Sequence, residues 1–296
     1  MAYHLLREDP DMQAAVRRIA CEQVRKAVDR IDSRDAPDTV IHDVRKRCKK
    51  VRGLLRLVRP SFSGYKDENA RFRDIAGPLG PLRDATVQLD TFEQLIRSDA
   101  PAAMTAVRDA LRMRRDATAR LEAPDALLAA ARSALQDALL RIDTWRIDAR
   151  GFDAVADGLE DSYRRGRKAM RTADEQGDDD AFHTWRKRAK DHAMHLRILQ
   201  PIWPGPMRAQ RNCADALGAL LGDHHDLAVL AERVPTRPDI GPEAVAALDT
   251  RIRARQHALA RQAGALGARL YAEPPTGLVK AWRRRFKAWR RECATD

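Results

Sequence analysis

Aromatic residues fill only 5% of this 296-residue chain, and cysteine is scarcer still, with four scattered residues and no C-x-x-C pair. Cys21, Cys48, Cys213 and Cys293 therefore read as reduced packing residues rather than zinc ligands or a redox couple. No stretch approaches the ~18 consecutive apolar residues of a membrane span. The opening "MAYHLLREDPDMQAAV" meets Arg7, Glu8 and Asp9 before any signal-peptide run develops, so the expected location is the cytoplasm. Also missing are a P-loop, a dinucleotide-binding glycine fingerprint, a G-x-S-x-G elbow and an H-E-x-x-H pair. No convincing strand pattern is present.

What the chain has in excess is positive charge. Lys and Arg number 55 against 43 Asp and Glu, a formal charge of +12, with a pI near 10.0. Such a balance points to a polyanionic partner: nucleic acid, an acidic membrane or a phosphate polymer. A hydrophobic content of 44% rules out wholesale disorder. Ala, Leu and Arg dominate, and apolar residues recur at spacings of three and four through 11–31, 39–58, 84–97, 102–121, 125–141, 152–171, 181–199 and 243–271. Breaks fall at Pro37, Pro60 to Gly64, Gly77 to Pro81, Pro124, Gly177, Pro201 to Pro206, Pro235 to Pro242, and Pro274 to Gly277. The pattern predicts an all-α fold, a bundle of about ten to twelve helices.

Placing His42 on His183 lays "HDVRKRCKKVRGLLRLVRP" (42–60) on "HTWRKRAKDHAMHLRILQP" (183–201), with eight of nineteen positions identical. A register one position longer lays "LGPLRD" (79–84) on "LGDHHD" (221–226). Two signatures in one order at nearly one separation indicate an internal duplication, with repeats of about 1–148 and 149–296 inside a single domain.

At 100° per residue, His42, Arg45, Lys46, Lys49, Arg52 and Arg56 fall within roughly 120° of one another, along about 21 Å of helix. Val44, Cys48, Val51, Leu54, Leu55 and Val58 lie opposite. The second copy repeats the division, with His183, Arg186, Lys187, Lys190 and Arg197 on one face. A solvated face normally interleaves acids at i,i+4, because like charges there repel. Here His42/Lys46, Arg45/Lys49, Arg52/Arg56 and Arg186/Lys190 are like-charged or potentially so, while Asp43 and Asp191 are expected to project off the face. Self-repulsion repeated in both copies reads as a polyanion site.

The repeated H-x-x-R-K-x-x-K pattern and the L-G-x-x-[RH]-D pattern (Leu79, Gly80, Arg83, Asp84; Leu221, Gly222, His225, Asp226) resemble the CHAD domain family, over nearly the whole chain. That resemblance implies two helical bundles related by pseudo-twofold symmetry around a basic central groove or pore. It also implies binding of inorganic polyphosphate without hydrolysis and association with polyphosphate granules; granule-associated proteins are further candidate partners, and neither cofactor nor resident metal is expected. Many members carry a triphosphate tunnel domain, whose E-x-E-x-K signature and strands are absent, so a stand-alone module is expected.

A flexible phosphate chain offers charge but no base edges, so many Lys and Arg donors along a track suit it. Beyond the two helices, Arg83 and His225 extend the track, while Asp84 and Asp226 are read as orienting a neighbouring Arg or capping a helix. Secondary candidates are Arg25, Lys26, Arg73, Arg164, Arg167, Lys168, Arg208, Arg211, Arg284 and Lys287. Trp282, Phe286 and Trp289 are read as docking the last helix. His192 and His195, aligned with Val51 and Leu54, belong to the interior. Protonation of His42 and His183 near pH 6.5 is expected to tighten binding in mild acid. Two alternatives stay open: a metal-dependent phosphohydrolase built on His192 and the His224-His225-Asp226 run, and a nucleic-acid binder, although no nucleic-acid recognition motif accompanies the charge.

Overall fold

The computed structural model describes residues 3–97, 104–121, 123–233 and 241–295, without the side chains at positions 82, 83, 119–121, 294 and 295. Regular structure among these residues is wholly helical. There are eleven α-helices: α1 (Met12–Ile31), α2 (Pro37–Leu57), α3 (Tyr65–Ala76), α4 (Gly80–Leu95), α5 (Met104–Leu121), α6 (Pro124–Ile142), α7 (Asp153–Gln176), α8 (Asp179–Leu199), α9 (Pro204–Arg233), α10 (Pro242–Leu270) and α11 (Pro275–Thr295). Short 3-10 turns, Arg59–Ser61 and Gln200–Ile202, follow α2 and α8. No helix among the described residues is long and apolar enough to cross a membrane.

Local chemistry sets the ends. Asp11 and Asp178 accept hydrogen bonds from the Ala14 and Ala181 amides at 2.8 and 2.7 Å, satisfying otherwise orphaned donors at the starts of α1 and α8. Gly177 stops α7 in the left-handed region, φ +69°. One expected break does not occur in full. Pro204 and Pro206 fall in the first turn of α9, where the amide hydrogen that proline lacks has no intrahelical partner to lose. The proline cluster therefore starts a 30-residue helix, whereas Gly77 and Pro78 in the first half separate α3 from α4.

α1 packs on α2 and α6, α7 on α8 and α11, α4 on α5 and α9, and α9 on α10. At the centre α2 meets α8 where Gly53 faces Met194. A Cβ on Gly53 would lie 2.5 Å from Met194 Sδ, so glycine permits the approach. His195 Nε2 lies 3.0 Å from the Gly53 carbonyl oxygen at this junction. The main apolar core runs from Tyr3 to Trp289, and a second joins Leu89, Phe92, Val107 and Leu111 to Leu227, Leu230, Leu248 and Ile252. Both cores draw on both halves of the chain, so apolar packing does not divide near residue 148. Trp282 and Trp289 are buried, which docks α11 by its aromatic side as expected.

Candidate functional site

α2, α4, α8 and α9, with Tyr3 at one edge, surround a cavity of about 840 Å³. His42, Arg45, Lys46 and Lys49 reach it from α2, Arg186, Lys190 and Arg197 from α8, and His225 and Asp226 from α9. Its lining holds eight Lys and Arg against four carboxylates, so the positive sign survives the acids present. The two helices thus present the matching parts of their repeated motifs to one space.

Each motif arginine leans on a motif glycine. A Cβ at Gly80 would stand 3.0 Å from Arg45 Nη1, and one at Gly222 would stand 3.8 Å from Arg186 Nε. The leucine-glycine signature therefore supplies the floor on which the arginine of the other signature lies. Arg45 also donates to the Ala76 carbonyl at 2.9 Å, fixing its guanidinium at the end of α3. Arg186 Nε is buried with no hydrogen-bond partner, a donor left for something outside the described residues.

Electrostatic crowding is recorded in the lysines. Surrounding protein, which thins the water around its ammonium, lowers Lys190 to about 8, and Arg186 and Lys49 add repulsion. Lys49 is lowered by the same loss of water, then by Arg45 and Arg186. Lys50, which the helical wheel left off the cationic face, also lines the cavity and falls to about 8, through burial first and then Arg47, Arg197, Lys46 and Lys26. Asp226 moves the other way: burial raises its carboxyl despite Arg186 and Lys190 nearby.

A family model described as the CHAD domain matches residues 10–235. The chain belongs to the CHAD domain family. No curated protein matches it.

In this CHAD domain the expected cationic face is not continuous. Arg52, beside the Gly53 crossing, and Arg56, one turn past it, do not line the cavity. Arg52 Nε donates to Asn69 at 3.1 Å, and Arg56 pairs with Asp191 at 3.1 Å. Asp191, expected to project off the face, is instead buried and also holds Arg188 at 3.5 Å. Lys187 is exposed outside the cavity lining. The Arg83 side chain lies outside the described residues.

The histidines divide by environment. His183 and His225 stack with ring centroids 3.9 Å apart. Burial lowers both, and neighbouring cations add to it: Lys187 and Arg186 at His183, and His183 itself with Arg186, Lys187 and Lys190 at His225, which falls to about 3. The expected charging of His183 near pH 6.5 is thus displaced to lower pH. His192 sits edge-on to Tyr163, with burial holding it near 4, and His195 bridges to α2. His224 turns away from the cavity and stacks on Phe182 at 4.3 Å. The His-His-Asp run is therefore split, and no group of three or more metal-donor side chains among the described residues is placed to hold an ion.

The secondary candidates disperse. Arg211 reaches the cavity edge through Asp215, at 3.7 Å, and Lys26 is within electrostatic reach of Lys50. Arg73 pairs with Asp74, and Arg164 with Glu160 and Asp161. Lys168 lines a separate cleft between α7 and α8. Arg25, Arg167, Arg208, Arg284 and Lys287 are absent from the cavity lining.

Proposed function

We propose that the chain binds inorganic polyphosphate without catalysis, in the cavity between α2 and α8, and that this binding targets it to polyphosphate granules in the cytoplasm. One observation carries the reading: Lys49 and Lys190, at matching positions of the two motifs, face each other across one cavity, where the neighbouring carboxylates do not offset the lowering of their pKa values. A fold that holds like charges together at a cost to itself does so most simply for a polyanion that relieves them. The unpartnered Arg186 Nε adds a donor suited to a phosphate oxygen, and family membership supports the same ligand class.

An internal duplication is part of this reading. The order of packing supports it, since α1 against α2 and α6 in the first half parallels α7 against α8 and α11 in the second. So does the Gly53–Met194 contact, because the register that lays His42 on His183 also lays Gly53 on Met194. A residue that touches its own counterpart is what a twofold axis between α2 and α8 requires. That Arg45 and Arg186, Lys49 and Lys190, and Asp84 and Asp226 line one cavity supports an axis through it.

Isothermal titration with long-chain polyphosphate, repeated with double-stranded DNA at matched phosphate concentration, tests the ligand. Tight binding that weakens steeply with salt and prefers polyphosphate is expected. Equal affinity for DNA would instead favour a general nucleic-acid binder, and phosphate release dependent on added divalent metal would favour the hydrolase.

Proton linkage supplies a second prediction. Bound phosphate raises the pKa of Lys50 and Lys190 from about 8, so the complex takes up protons. Affinity should be flat near pH 7, fall through pH 8 and be at least about tenfold lower by pH 9.5. Titration in two buffers of different ionisation enthalpy reads the uptake directly. Equal heats in both buffers at pH 8.5 would show that these lysines do not meet the ligand.

A further inference from the structure

The same register pairs Arg47 with Arg188, Lys50 with Asp191 and Arg56 with Arg197. Two related ends of the α2–α8 junction thereby receive opposite treatment. At one end Asp191 is buried, with a side chain 8% exposed, and holds Arg56 at 3.1 Å and Arg188 at 3.5 Å. At the other end its counterpart is Lys50, which lines the cavity with its ammonium over the Tyr3 ring, 5.0 Å from the centroid. Arg197 beside it pairs with Asp215, but both members are 40% exposed or more. An exposed pair contributes little and yields to an incoming anion, whereas breaking a buried pair leaves a carboxylate uncompensated in a dry site.

Resting on the polyphosphate reading above, we infer that the bound chain leaves the cavity at one end only, over Lys50 and Arg197 toward Lys26 on α1, while Asp191 closes the symmetry-related end. Lys26, Lys46, Arg47 and Arg197 all lie within electrostatic reach of Lys50 and each disfavours its charged form. Asp191 faces Arg56, Arg188 and Arg52, and these cations are already committed to it or to Asn69. A single substitution between the copies, lysine for aspartate, thus converts a symmetric track into a polar one. Lys50 and Lys26 are ligand contacts on this reading, and Arg56 is not.

Charge-matched variants test it, since each removes one positive charge and so equalises the effect of net charge. Titrated with long-chain polyphosphate across a salt series, Lys50→Gln should bind about tenfold more weakly than the parent. Its log–log salt slope should be shallower by about 0.7, the loss of one phosphate contact. Lys26→Gln should move both quantities the same way, and Arg188→Gln should stay within about twofold of the parent. Equal weakening by Lys50→Gln and Arg188→Gln would overturn the polar track in favour of a symmetric one. No change in Lys50→Gln and Lys26→Gln, with binding by the parent intact, would overturn the exit over Lys50 and leave the polyphosphate reading standing. A parent that does not bind would overturn both.

Discussion

Reversing both Lys49 and Lys190 to glutamate is expected to weaken polyphosphate binding by about 100-fold or more while leaving the fold intact. Each lysine offers a charge-assisted contact worth about 1.5–3 kcal/mol, and two such contacts amount to roughly two to four decades in affinity. The two sites sense each other, so additivity fails and the lower end is the safer expectation. Repulsion between the introduced carboxylates and the phosphates adds to the loss. Stability should move in the opposite direction. Both ammonium groups are held below their ordinary pKa by the surrounding protein and by Arg45 and Arg186, and a carboxylate among those arginines meets attraction instead of repulsion. The double variant should therefore melt at or above the parent temperature, measured by circular dichroism, even as binding disappears. A double variant that binds like the parent would remove the cavity from the ligand's path. A variant that unfolds would show that the lysines hold the structure together, contrary to the repulsion seen around them. The single reversals are less informative, because one carboxylate opposite one remaining lysine neutralises the pair.

Much of the fold could be read from spacing. Apolar residues at three and four positions marked eight of the eleven helices found among the described residues, and the Gly177 stop falls where turn chemistry put it. Two of the three helices that periodicity did not isolate have identifiable reasons. α3 is a 12-residue helix, and α9 opens on prolines and carries Gly218 and Gly222 in its interior. Those glycines look like interruptions in a sequence and are packing positions in the structure, with Gly218 against Lys190 and Gly222 against Arg186.

The site was legible to the extent that it lies on one helix face. Arg45, Lys46, Lys49, Arg186 and Lys190 reach the cavity as the helical wheel implied. Lys50 was missed because it falls about 40° beyond the edge of that face, and nothing on α2 alone says that a cavity opens there. Arg52 and Arg56 fall outside the cavity lining for the converse reason. Their angle is right, but the crossing at Gly53 brings α8 over the face and delivers Asp191 from 135 residues away. A wheel records direction from one axis and cannot register what a second helix brings to it. The coupling of Gly80 to Arg45 and of Gly222 to Arg186 was hidden in the same way, though its trace, two signatures repeated together, was visible.

Replacing Gly158 by alanine is expected to lower the melting temperature by about 4–8 °C, although alanine is the better helix former. Gly158 lies inside α7 where that helix crosses the end of α2. A Cβ there would stand 1.9 Å from the Leu57 carbonyl oxygen and 2.6 Å from the Leu57 carbonyl carbon. Backbone atoms in the last turn of a helix cannot rotate aside as a side-chain tip can, so the two helices must separate. Overpacking of this kind costs about 1–3 kcal/mol, occasionally more, set against roughly 1 kcal/mol of gained helix propensity. A clash with backbone takes the upper end of that range, so the net loss is about 2 kcal/mol, or roughly 4–8 °C at a few degrees for each kcal/mol in a chain of this size. Gly264, in α10, provides the matched control, since a Cβ there meets nothing within 4 Å. Gly264→Ala should raise the melting temperature by a few degrees at most, through propensity alone. Opposite signs for one chemical change at two helical positions would locate the α7–α2 contact, whereas a rise in both would mean that α7 does not press on α2. The contact matters to the site because α2 carries Arg45, Lys46, Lys49 and Lys50 on one rigid element. Its end is held by α7 and its middle by α8, so any shift that relieves the clash at Leu57 moves the cationic wall with it. Gly158→Ala should for this reason also weaken polyphosphate binding severalfold at temperatures where the protein remains folded, whereas Gly264→Ala should not.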